Sequence, residues 1–298
     1  MKHAYLILAH NNFNQLKKLI NLLDDIDNDI FIHIDEKSNI NLKQLELNTK
    51  FSNVKIYSEY KVFWGDFSIV QAEIFLFKKA SLIGYDYYHL LSGMDLPIKP
   101  IIQIKDFFEK NKGREFVHYS LEFSKQKQVK RRAKFYYFFQ KYRKTKNHFF
   151  SYVINLLIKC EIFIQMVFKV NRLRKSKLQV VAGSQWVSIT NEFVLFILSN
   201  EDVIYKLFKY SNCSDELFIQ TLLFNSRFKN KVFVNKNGNI PVNLREIIWE
   251  DNNSGSPHIW RKEDFEYLIN SEALFARKFD CNVDDEIVSL IYDFVTLS

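Results

Sequence analysis

The sequence predicts an α/β domain built on an open, Rossmann-like, mostly parallel sheet flanked by helices, and three observations carry that expectation. Residues 4–9 form a short, nearly continuous apolar run, the pattern of a strand buried on both faces. His10-Asn11-Asn12 stops it, Leu16, Leu19, Ile20 and Leu23 recur at helical spacing, and residues 30–34 form a second run ending in Asp35-Glu36-Lys37-Ser38. The chain has 298 residues and is 47% hydrophobic, ample for a buried core. In sheets of this kind ligands sit off the carboxyl ends of the strands, where His10 and Asp35 fall.

The later elements follow in order. Residues 54–57 read as a third strand, followed by Phe63-Trp64-Gly65-Asp66 and a helix over 68–80 carrying Val70, Ile74, Phe75 and Phe77. Residues 87–91 form a strand that breaks at Gly93 and enters an acidic loop fixed by Pro97. Phe107 closes a short helix, and 115–119 reads as another strand. Residues 180–189 give a strand with a small-residue approach point, ahead of a helix over 191–198. Strands are expected at 232–234 and 244–249, a turn at Asn237-Gly238, and a helix over 262–269. The chain contains no GxGxxG fingerprint and no Walker sequence, which disfavours dinucleotide and P-loop chemistry.

Residues 125–178 differ in composition and read as a helical, basic and aromatic insertion within a single domain of residues 1–298. Lys130, Arg131, Arg132, Lys134, Lys141, Arg143, Lys144 and Lys146 flank Phe135-Tyr136-Tyr137-Phe138-Phe139, and an apolar helix over about 149–170 follows. Two readings stand side by side: a cationic amphipathic surface lying on an anionic membrane, or an aromatic insertion packed on the sheet with its charges solvated. Lys159, Glu161 and Gln165 argue against a spanning segment. A net charge of +8 suits polyanionic partners, but no nucleic-acid motif accompanies it, so nucleic acid is not an expected partner. Cys160, Cys213 and Cys281 are odd in number and far apart, against a disulfide framework or zinc site and in keeping with a reducing compartment. The first apolar run is too short for a signal peptide or membrane anchor, so the expected location is the cytoplasm, with peripheral contact at the inner face of the membrane.

Two adjacent acids, Asp215 and Glu216, open what reads as an apolar helix. Ser214 can cap that helix, and the dipole favours acids in its first turn. The functional alternative is that one carboxylate faces a cleft and serves as a general base. Asp25, Asp27 and Asp29 have DxD spacing but precede a strand instead of ending one, and read as helix-terminating surface residues; no metal site is expected.

In order, these motifs resemble the core-2/I-branching N-acetylglucosaminyltransferases and their relatives the peptide O-xylosyltransferases. The resemblance is carried by residues 4–10, 32–38, Trp64-Gly65, residues 88–99, Gly183-Ser184-Gln185-Trp186, Ser214-Asp215-Glu216 and residues 274–280. It implies a GT-A glycosyltransferase fold and an inverting enzyme that moves a sugar, GlcNAc foremost, from a UDP-sugar to a saccharide acceptor, with no metal or other cofactor. Glu216 matches the family's general base, and Lys278 a lysine that binds the donor diphosphate. Arg261, preferred to His258 because it is always charged, would be a second cation there. His10, Asp35 and Trp64 would line the uridine pocket, with Gly93 and Asp95 beside the sugar. Trp186 and Asp215 fall on the acceptor side, Asp215 chiefly holding the turn that aims its neighbour. The family usually reads Ser-Pro-Asp-Glu where this chain has Cys213-Ser214-Asp215-Glu216, and its acceptor-contacting aromatics have no clear match at Glu246 and Ile248. The expectation is a bacterial-type enzyme of surface polysaccharide assembly, whose basic insertion would suit a lipid-linked acceptor. The alternative from another class is a non-catalytic nucleotide-sugar or polyanion-binding protein of the same fold.

Overall fold

A computed structural model describes residues 1–42, 45, 47, 49–145, 147–235, 241–249 and 256–297. The expected turn at Asn237-Gly238 and Lys146 of the basic stretch lie outside the described residues. The first half alternates strand and helix: β1 (His3–Ala9), α1 (Phe13–Leu22), β2 (Asn28–Ile34), β3 (Asn53–Tyr57), α2 (Ser68–Ser81), β4 (Tyr87–Ser92), β5 (Asp95–Pro97) and α3 (Ile101–Lys110). The middle holds β6 (Tyr119–Ser120), α4 (Leu121–Lys125), α5 (Lys127–Lys134), α6 (His148–Val167), β7 (Ala182–Gly183) and β8 (Ser188–Thr190). The last third contains α7 (Asn191–Ser199), α8 (Glu201–Phe208), α9 (Phe218–Phe224), β9 (Arg245–Glu246), α10 (Phe265–Asn270), β10 (Phe275–Arg277) and α11 (Asp285–Leu297).

The central sheet has the order β3-β2-β1-β4-β8, parallel except for β8. Alternation along β1 explains why it lies in the middle. Tyr5, Ile7 and Ala9 enter one apolar cluster with Leu16, Leu19 and Ile20 of α1, while Ala4 and Leu6 enter the other with Val70 and Phe77 of α2. Both faces are thus covered, as parallel strands require, and each large apolar side chain so buried contributes about 1.5–3 kcal/mol. The carboxyl ends of β1, β2 and β4 then fall together, delivering His10, Asp35 and Gly93 to one rim.

A second sheet, β5-β10-β9, sets Asp95 opposite Arg277. Buried Arg245 of β9 bridges the two sheets, donating to the Val187 carbonyl (2.8 Å), the Leu90 carbonyl (3.1 Å) and Ser188 Oγ (2.8 Å).

Several expected strands are shorter than their apolar runs. Residues 180–189 divide into β7 and β8, with Gly183 so close to β6 that a Cβ there would overlap the His118 carbonyl oxygen. Residues 115–119 and 232–234 meet through a single bridge, Glu115 with Val232, and the expected strand over 244–249 keeps two residues in β9. These segments connect layers, so their apolar side chains pack without a continuous ladder.

The insertion follows α4 and forms a small cluster of its own from Phe135, Tyr137, Ile154 and Ile158. By length and composition α6 could cross a membrane, and only 17% of its most apolar window is buried.

Candidate active site

The two acids sit on a 3-10 turn, Ser214–Glu216, and α9 begins only at Phe218. This corrects the expected helix start. The Ser214 hydroxyl caps nothing and has no hydrogen-bond partner among the described residues. The turn is set instead by Cys213, in the left-handed region at φ 50°, whose N–H donates to the Gly65 carbonyl (2.8 Å). A left-handed non-glycine residue is uncommon and is held here by its surroundings.

Beyond that turn the acids diverge. Asp215 is buried and its Oδ1 has no hydrogen-bond partner among the described residues. Desolvation, then the neighbouring Glu216 charge, push its pKa up to about 7. Fully buried Glu73 of α2 accepts from Gln185 Nε2 (2.6 Å), and burial with the Asp215 charge holds it well above the usual carboxylate range. Glu216 keeps 32% of its side chain exposed and is ion-paired with Arg132 of α5. Asn212 N–H also donates to the Arg132 carbonyl (3.0 Å), so α5 holds this loop at two points.

At the carboxyl ends of the strands, the structure brings His10, Asp35, Trp64 and Lys278 near one another. Asp35 Oδ1 accepts from Lys37 N–H (2.9 Å) and Val62 N–H (3.2 Å), tying the end of β2 to the segment that leads to Trp64. Desolvation and the Lys278, Lys37 and Arg277 charges lower the His10 pKa, against the pull of Asp35. The Trp64 ring is 42% exposed and lies under Lys144 Nζ, 4.1 Å from the ring centroid, with the Arg143 guanidinium at 5.6 Å. Gly65 adopts φ +70°, and a Cβ there would come within 2.6 Å of Gln140 Nε2 and 3.2 Å of Cys213 Sγ. Trp64-Gly65 therefore joins the rim carrying Asp35 to the turn that carries Glu216.

Lys278 is half-buried, and desolvation together with the Arg277 and Lys144 charges lowers its pKa. No described carboxylate lies within ion-pair distance of it. The structure does not bring the Arg261 guanidinium to this lysine in any described contact. Arg261 is exposed, its N–H donates to Asp264 Oδ2 (2.8 Å), and its charge is felt at Asp284. His258 Nε2 is likewise 2.9 Å from Asp264 Oδ2. The 3-10 turn Lys262–Asp264 draws both toward its acid, and the cations that bear on Lys278 are Arg277 and Lys144.

Asp95 and Trp186 also differ from expectation. Asp95 is fully buried, accepting from Ser92 N–H (2.9 Å) and Arg277 Nη1 (2.7 Å), so neither carboxylate oxygen is open to a sugar. Trp186 is buried, with the Arg277 guanidinium 4.4 Å from its ring centroid. Both residues contact the Arg277 guanidinium, Asp95 by an ion pair and Trp186 through its ring. Gly93 holds the rim together: its N–H donates to the Leu8 carbonyl (2.9 Å), and a Cβ would stand 3.2 Å from Ala9 Cβ. Asp25 and Asp27 bind Lys105 Nζ (2.8 and 2.6 Å) at the opposite end of the sheet.

A family model described as Core-2/I-Branching enzyme matches residues 3–269. The chain belongs to the core-2/I-branching enzyme family. Xylosyltransferase sqv-6 of Caenorhabditis briggsae is 25% identical over 94% of this chain and 35% of its own length. Xylosyltransferase oxt of Drosophila melanogaster is 24% identical over 96% and 32%, and xylosyltransferase 2 of Canis lupus familiaris 22% over 97% and 33%. The chain thus spans about a third of the length of these curated relatives.

In this core-2/I-branching family member three residues that the sequence did not single out contact the candidate site residues. Arg132 and Lys144 come from the insertion, and Arg277 adjoins Lys278. For Arg277 a signal existed, since it lies within the late motif. Within a run as basic as 125–146, no spacing distinguishes the two cations that turn inward from those that face water.

Proposed function

We propose that this family member is an inverting glycosyltransferase that moves a sugar from a UDP-sugar to a saccharide hydroxyl in surface polysaccharide assembly. Sugar transfer as a class is supported by the family and by relatives named xylosyltransferases, which place xylose beside GlcNAc as the donor sugars to test. One observation carries the mechanistic reading. A partly exposed carboxylate, Glu216, lies on a turn tied through Cys213 to the Gly65 carbonyl beside Trp64, and that tryptophan faces Lys144, whose charge reaches Lys278.

In this mechanism the acceptor hydroxyl gives its proton to Glu216 as its oxygen bonds to the anomeric carbon. The bond from that carbon to the diphosphate oxygen breaks on the opposite face, and the electron pair leaves with UDP. Lys278 and Lys144 stabilise the departing charge, so the reaction proceeds without a metal ion.

Glu216→Gln tests the base. Transfer should fall by about 10²–10⁴-fold while UDP affinity stays near that of the parent. Undiminished transfer by the variant overturns the assignment. UDP binding without transfer by the parent, across GlcNAc and xylose donors and a saccharide panel, would favour the non-catalytic alternative. Metal independence is checked separately: transfer should persist in EDTA and collapse in Lys278→Ala.

A further inference from the structure

α6 buries only a narrow side, Ile154, Ile158 and Gln165, and leaves most of its apolar surface uncovered. Two of its polar side chains turn back to the protein: Gln165 accepts from Tyr136 N–H (2.8 Å) and donates to the Tyr136 carbonyl (2.9 Å), and Glu161 accepts from Phe138 N–H (3.0 Å), while Lys159 is exposed on the outer side. Most of its large apolar side chains face outward. Phe149 (77% exposed), Tyr152, Leu156, Phe163 (62%) and Val167 recur along the outer side at about helical spacing, and Phe168 (77%) closes the row. A contiguous apolar face of this kind marks an interaction site.

Charge indicates what covers it. Residues 125–178 contain sixteen Lys and Arg against the single acid Glu161, while the whole chain carries only +8. Exposed cations lie at both ends of α6, Lys141 before it and Lys169, Arg174, Lys175 and Lys177 after it. We infer that the outer face of α6 docks on the surface of an anionic lipid bilayer, lying in the interface with its apolar row among the acyl chains and the flanking cations at the headgroups. A second copy of this chain is a poor occupant, because it would bring two such cationic rims together. The inward hydrogen bonds of Glu161 and Gln165 keep one side of the helix on the protein, which suits an interfacial position over a spanning one. The inference rests on this surface alone and is independent of the proposed reaction.

The experiment uses the full chain with vesicles of phosphatidylcholine alone or mixed with phosphatidylglycerol. At low salt the parent should sediment with the mixed vesicles, much less with phosphatidylcholine alone, and alkaline carbonate should release it. A variant combining Phe149→Ser, Tyr152→Ser, Leu156→Ser and Phe163→Ser should lose partitioning about tenfold or more while unfolding at the parental temperature, since these side chains are exposed. Arg174→Glu, Lys175→Glu and Lys177→Glu together should lose at least about fivefold per charge removed on the mixed vesicles. Any of four results overturns the proposal: no retention of the parent on mixed vesicles at low salt, undiminished retention of the serine variant, resistance to carbonate, or a lipid-free parental dimer that the serine variant abolishes. UDP binding in the same preparations separates loss of docking from loss of the site.

Discussion

The carboxylate of Glu216 is ion-paired with the guanidinium of Arg132, 84 positions earlier in the chain and on another helix. Both side chains keep a quarter to a third of their surface, so the pair contributes little to stability, about 1 kcal/mol or less. Its use is orientation. Arg132→Ala should leave the melting temperature within a few degrees while lowering kcat about ten- to hundredfold with the donor KM unchanged. Arg132→Lys should recover part of the loss, because it restores charge without the planar fork. Parental turnover by the alanine variant would show that the base needs no such partner.

Asp215 makes stability depend on pH. Its folded pKa, about 7, stands above its ordinary 3.8, so between those values the folded state holds a proton that the unfolded state has released. Stability is therefore lost as pH rises from about 4 through about 7, on the order of 4 kcal/mol from this group. Asp215→Asn removes that dependence. The melting temperature of the variant minus that of the parent should climb between pH 5 and pH 8 and then level off. A difference that stays flat with pH would mean that Asp215 is ionised in the fold.

The Asp95–Arg277 pair is a different case, because Asp95 is fully buried and Arg277 largely so. Arg277→Ala strands a carboxylate in the interior and uncovers Trp186, and should destabilise the protein by about 3 kcal/mol. Combining Asp95→Asn with Arg277→Met removes both charges and should recover most of that loss in denaturant unfolding. No recovery in the double variant would place the cost in the Arg277 packing instead of in the orphaned acid.

Gly65→Ala tests the link between the nucleotide side and the base. The residue sits at φ +70° and a Cβ would crowd Gln140 and Cys213. Strain of about 1–3 kcal/mol is expected, relieved by displacement of the Cys213 turn. Transfer should fall more steeply than stability, measured as kcat against unfolding free energy; equal losses in the two would assign Gly65 to the scaffold.

Much of the sheet was legible because its strands are short, continuous apolar runs separated by helices of clear periodicity. Residues 4–9, 30–34, 54–57 and 87–91 each became a strand within a few residues of the expected bounds. The connecting segments were harder, since side chains such as Val232 and Ile247 are apolar through packing between layers and not through pairing in a ladder. The helix α11 went unread although Ile287, Val288, Ile291 and Val295 follow helical spacing and are buried. Of the residues named by motif order, His10, Asp35, Trp64 and Lys278 lie near one another in the fold. Motif order could not reveal that Asp95 and Trp186 spend their surfaces on Arg277, nor that the insertion reaches back to Glu216. Both facts depend on contacts between residues far apart in the chain, which no local pattern encodes.

The sheet order β3-β2-β1-β4-β8 also bears on how the chain folds as it is made. β4 has β1 on one side from the outset, but its other partner, β8, starts only at Ser188. All six residues of β4 are buried in the finished protein, so until β8 emerges this strand has an apolar face and one unpaired edge, the kind of template that recruits other chains. Residues 125–178 must pass through the ribosome in that interval, lengthening it by about 3–11 s at synthesis rates of roughly 5–20 residues per second. The segment that supplies Arg132 to Glu216 therefore also sets how long the nascent sheet waits for its last strand.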